Sequence, residues 1–170
     1  MRLILSFLVV LATSPIASAE CEVDFITAKF EDLNKHYNNG EYVKFRDTSI
    51  DILTLVEDRN CFNKLNKKIV LDDSIQATYH HLARMYAQPR YGFRDDKKAE
   101  EYFRKAGKVA YTDFGIFWAL NKNYYNKATF YLKRSKELRS TDWERAKGIL
   151  DGSIQIKMID GAWKQRVKKP

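Results

Sequence analysis

The residues best suited to chemistry in this chain are three histidines, two cysteines and several acidic pairs. His80 and His81 are adjacent, and His36 lies far away in sequence. Consecutive side chains on a helix diverge by about 100°, so His80 and His81 cannot grip one ion. There is no His-x-x-x-His pair to put two imidazoles on one helix face. Gly-x-Ser-x-Gly and glycine-rich phosphate loops are also missing from the sequence. The pairs Asp72-Asp73, Asp95-Asp96 and Glu100-Glu101 fall at expected helix starts or on charged faces. There, capping and solvation account for them without paired-carboxylate catalysis. These residues point away from an enzyme. No catalytic residue, metal site or cofactor is expected.

The cysteines are better placed for a structural bond. Cys21 and Cys61 are the only two, with no Cys-x-x-Cys. Between them Phe25, Ile26, Phe30, Leu33 and Tyr37 recur at helical spacing. Asn38-Asn39-Gly40 makes a turn, and Val43, Phe45, Ile50, Ile52, Leu53 and Val56 give a second apolar face. In an antiparallel hairpin the two cysteines meet at the open end, so a Cys21–Cys61 disulfide is expected there. The compartment agrees. Residues 1–19, "MRLILSFLVVLATSPIASA", combine Arg2, an apolar run and an Ala-Ser-Ala cleavage site, the pattern of a removed signal peptide. That run is too short to anchor permanently in a bilayer. The mature chain is expected to be exported, to a periplasm first and the extracellular space second, with no transmembrane anchor.

Composition sets the body between these features. The chain has 170 residues, 45% hydrophobic and 31% charged, with only seven glycines and three prolines. That suits one globular, helix-rich domain, expected over 20–163. Removing Arg2 with the leader takes one charge from +8 and leaves +7. A basic exported protein meets acidic proteins or anionic glycans rather than nucleic acid. The end "KQRVKKP", 164–170, reads as a basic, solvated tail.

The most patterned stretch lies in the middle. Tyr79-x-x-Leu82-Ala83-x-x-Tyr86 precedes Ala99-x-x-x-Phe103-x-x-Ala106. Small residues let two helices approach, and aromatics fill the groove between them. This pattern resembles the tetratricopeptide repeat. Tyr86 and Ala99 are thirteen positions apart, against about nine in that repeat. The longer loop, with Gly92, Asp95, Lys98, Tyr102 and Lys105, is similar to the Sel-one-like subfamily, although Pro89 replaces a usual glycine. Pro89 should end the first helix near Gln88, and Asp95 or Asp96 should cap the second. Phe30, Leu33 and Tyr37 repeat the register loosely. Ala128, Leu132 and Ser135 match Ala99, Phe103 and Ala106 in a weaker third unit over 112–138.

The resemblance implies an all-α, short right-handed α-solenoid of about three antiparallel helix pairs. A capping helix over 142–159 should close it, starting at Thr141-x-x-Glu144. Arrays of this family present the first helix of each pair along a concave protein-binding face. The matching positions here are Glu31, Lys35, Asn38, Asn39, His80, Arg84 and Gln88, a polar, basic row suited to an acidic protein segment. A second signal is the aromatic richness of 111–131. Phe114, Phe117, Trp118, Tyr124, Tyr125 and Phe130 mix with Lys122, Lys127, Lys133 and Arg134, and rings left over from the core would line a basic, aromatic groove for an acidic peptide or an anionic sugar. The expected function is therefore a protein-binding scaffold. An envelope-glycan binding or processing protein and a periplasmic immunity protein are the alternatives. Oligomeric state is not legible.

Overall fold

The computed structural model describes residues 23–58, 61, 71–137 and 140–167. The expected signal peptide, Cys21 and the last three residues lie outside them. The body is all-α. Helix α1 (Val23–Asn38) turns through Asn39-Gly40 into α2 (Tyr42–Glu57). Helix α3 (Leu71–Ala87) is joined by a loop to α4 (Asp96–Ala106), and α5 (Tyr111–Leu120) is followed by α6 (Tyr125–Arg134). Each of these successive pairs packs together. Helix α7 (Ser140–Leu150) then lies against α6 and α5.

The central pair follows its sequence closely. Tyr79, Leu82, Ala83, Tyr86, Ala99, Phe103 and Ala106 are all buried. Helix α3 stops at Ala87, just before Pro89, whose fixed φ and missing N–H open a short 3₁₀ turn at Pro89–Tyr91. The Asp95 carboxylate accepts from the Lys97 and Lys98 N–H groups and caps α4. The first pair joins it through rings. His81 lies 5.0 Å from Tyr37 and 5.9 Å from Phe45, and Tyr42 meets Tyr91 edge-on at 4.7 Å. Cys61 is fully buried and disulfide-bonded. Not every expected core residue is inside, since Phe25 and Val43 are exposed.

Helix α5 forms the centre of the third pair. Every residue from Thr112 to Trp118 is buried, so it has no solvent face. Gly115 makes this possible. A Cβ there would stand 2.7 Å from Leu132 Cγ and 3.1 Å from the Ala128 carbonyl oxygen.

The C-terminal end differs from the expected capping helix over 142–159. Helix α7 stops at Leu150, and strands β1 (Ile154–Ile159) and β2 (Ala162–Val167) form an antiparallel hairpin. Ile154, Ile156 and Met158 alternate with polar residues, which is a strand period rather than a helical one. Asp160 and Gly161, both at positive φ, make the two-residue turn such a pair favours. The expected tail over 164–170 is corrected too, because residues 164–167 belong to β2. The hairpin folds back onto the 88–91 turn. Arg90 N–H donates to the Gly161 carbonyl at 3.0 Å, and a Cβ on Gly161 would stand 2.8 Å from that nitrogen. Gly148 makes room at the other end, where a Cβ would meet Ile154 Cδ1 at 2.6 Å.

Replacing Gly115 by Val should lower unfolding free energy by about 2 kcal/mol, as overpacking of a filled contact does. Chemical denaturation of the two proteins measures it.

Candidate functional site

The centre of the molecule holds one buried carboxylate. Asp113 begins the apolar run "YTDFGIFWAL", in the first turn of α5, and is 3% exposed. Three basic side chains from two other helices converge on it. His80 Nε2 lies 2.9 Å from Oδ2, and Arg145 Nη1 donates to Oδ1 at 3.0 Å. Arg84 Nε is 3.3 Å from Oδ2, near enough for charge attraction but out of line for a hydrogen bond. Burial pushes the Asp113 pKa up. The His80 hydrogen bond and the charges of His80, Arg84 and Arg145 outweigh it and hold the carboxyl well below its usual range. His80 and Arg84 share one face of α3 at i and i+4, and Arg145 comes from α7. One carboxylate therefore ties three helices together.

His80 also lines a cleft of about 430 Å³ beside this cluster. Ala77 and Val109 give it apolar walls, and Asp73, Lys108, Glu137 and Asp142 surround it. Asp73 and Asp142 have no ion-pair partner among the described residues, while Glu137 holds Arg134 at 3.3 Å. Thr112 keeps the far side in place. Its hydroxyl donates to Ser135 Oγ at 2.9 Å and sits 3.4 Å from the Asp142 carbonyl oxygen. A histidine backed by a carboxylate has the geometry of a general base. Here two arginines share that carboxylate, so much of its charge is neutralised before it reaches His80. The cluster holds three helices together, and the cleft opens beside it.

The expected binding row divides on this geometry. Glu31, Lys35, Asn38 and Asn39 are exposed at the end of α1 and its turn. His80 and Arg84 are half-buried and already hold Asp113. Gln88 is 1% exposed, and its Oε1 accepts the Trp163 N–H at 3.0 Å. Gln88 thus anchors the C-terminal hairpin and cannot read a partner. Asp113, Arg145 and the carboxylates of the cleft were not legible as a site. The one signal for Asp113 was a lone acid at the start of an apolar helix.

His81 faces away from the cluster. Burial first, then the charges of His80 and Arg84, lowers its pKa from 6.5 to about 4, against the opposing pull of Asp113. Among the described residues no group of three His, Cys, Asp or Glu side chains is arranged to hold a metal. None of their helices is long and apolar enough to cross a membrane.

No family model, curated protein or solved structure matches this chain. The resemblance to tetratricopeptide-like repeats rests on its own residues.

Arg84→Glu should lower stability by about 2 kcal/mol, because it sets a second carboxylate against buried Asp113 while the arginine it removes is partly solvated. Lys35→Glu, on the surface, should leave stability unchanged, and thermal melting of both variants distinguishes the sites. The His81 pKa is lower folded than unfolded, so the unfolded chain takes the proton first as pH falls. The stability contributed by the neutral ring is complete above about pH 6.5 and drains towards pH 4, a loss of about 2 kcal/mol by pH 4.5. Denaturation across that range should show the loss in the native protein and a flatter profile in His81→Phe.

Proposed function

We propose that this chain is an exported, non-enzymatic protein-binding scaffold of three helix pairs, stacked in the manner of a short right-handed solenoid. Its cleft beside His80 receives a segment of another polypeptide. The cleft carries this reading. It has apolar walls at Ala77 and Val109, one lysine, Lys108, and two carboxylates, Asp73 and Asp142, that form no ion pair among the described residues. Such a site suits an extended segment that presents a basic side chain or an amino terminus. The sequence favoured an acidic partner because His80 and Arg84 were read as free. Their engagement by Asp113 leaves the cleft with acidic edges instead. Export rests on the leader-like residues 1–19.

A photo-crosslinking side chain at Ala77, in the protein exported by its own cells, tests the reading. It should give one discrete protein adduct that is missing when the probe sits at Asp51. Asp142→Lys should abolish that adduct without changing the melting temperature. An adduct pattern identical at both positions, or untouched by Asp142→Lys, would refute the cleft as the binding site.

A further inference from the structure

Helix α6 carries a second surface that neither the helix packing nor the cleft uses. Three of the large rings left in solvent belong to this helix or its N-cap, with Tyr125 turned about 140° around the helix from Phe130. Tyr125 is 68% exposed, Phe130 53% and Tyr124 47%. Cations lie among these rings. Lys127 Nζ is 4.0 Å from the Trp118 ring centroid and 5.5 Å from that of Tyr124. The Arg134 guanidinium sits between Tyr111, at 4.8 Å, and Phe130, at 5.6 Å, and also pairs with Glu137 at 3.3 Å. Lys127, Phe130 and Arg134 follow i, i+3, i+7 spacing and share one face. From Phe114 to Lys136 there are five Lys and Arg residues and no Asp or Glu. Lys127 and Lys133 have no carboxylate partner among the described residues. The amide-bearing Asn123 and Asn126 are exposed beside the rings.

We infer that this face binds an acidic polysaccharide. A sugar ring offers a C–H face, hydroxyl edges and, in a uronate, a carboxylate. The α6 face offers flat rings, amides and cations in matching places. Ring contact with Lys127 and Arg134 fixes those charges before a ligand arrives, which lowers the cost of ordering them. The stripe from Tyr124 to Arg134 runs about 15 Å along the helix, enough for several sugar units. An acidic protein would satisfy the cations equally well. The exposed rings favour the sugar, since Phe130 and Tyr124 offer flat apolar faces on which sugar C–H bonds can stack. The face is separate from the cleft, and the substitutions below leave every cleft residue in place.

The test is isothermal titration of the mature chain with polygalacturonate, hyaluronate and heparin. Polyglutamate and anionic phosphatidylglycerol vesicles serve as competing anions. At least one polysaccharide should bind more tightly than polyglutamate and the vesicles. Tyr124→Ala with Phe130→Ala should weaken that binding about tenfold, and Lys127→Gln should also weaken it. The melting curves should be unchanged, because these side chains are exposed. Failure of all three polysaccharides to bind would overturn the inference. So would equal or tighter binding of polyglutamate or vesicles, or full retention of binding after both rings are removed.

Discussion

Asp113 is the constraint on which the interior depends. A carboxylate in the first turn of a buried helix is costly to desolvate unless it is matched at once by opposite charge and hydrogen bonds. Its match comes from α3, in the second helix pair, and from α7, the helix before the C-terminal hairpin. The positions of those helices are thereby coupled to α5. Thr112 reinforces this one residue earlier by bonding Ser135 and approaching the Asp142 carbonyl. The cleft forms where these restraints hold α3, the 107–110 turn and the start of α7 apart. Its walls are therefore set by the charge cluster behind them.

The second organising contact joins sequence-distant ends. The turn at 88–91 receives the C-terminal hairpin through Arg90 N–H on the Gly161 carbonyl and Trp163 N–H on Gln88. A two-stranded hairpin has little independent stability in water, so it needs such a seat. Trp163 lies parallel to Phe103 with centroids 6.4 Å apart, which brings the hairpin to the core of the central pair. The extra loop length after α3, read from sequence as a repeat-family trait, here serves as a docking point for β1 and β2.

The charge of the molecule is segregated by these arrangements. Arginines near the centre are consumed by Asp113, while on α6 Lys127 lies against rings and Arg134 lies against rings and Glu137. Glu137, at the edge of the cleft, pairs with Arg134 of that basic helix. Net charge alone, which suggested one basic binding face, blurs two surfaces of opposite character.

The sequence by itself determined the local elements. Helical periodicity set out the three pairs, the small and aromatic residues from Tyr79 to Ala106 gave the core of the central one, and Pro89 and Asp95 placed the ends of α3 and α4, because each acts within a few residues of itself. The hairpin at 154–167 was also legible in principle. Asp160-Gly161 between period-two apolar residues is a hairpin signal, and it lost to the apparent stripe continuing from α7. Partner choice across the fold was a tertiary decision. That His80 and Arg84 turn inward to Asp113, that Gln88 serves Trp163, and that Phe130 stays outside while Phe114 goes in all depend on which helices meet. The reason is physical: a charge or ring has the same local propensity in either place, and only the packing of distant segments sets its surroundings.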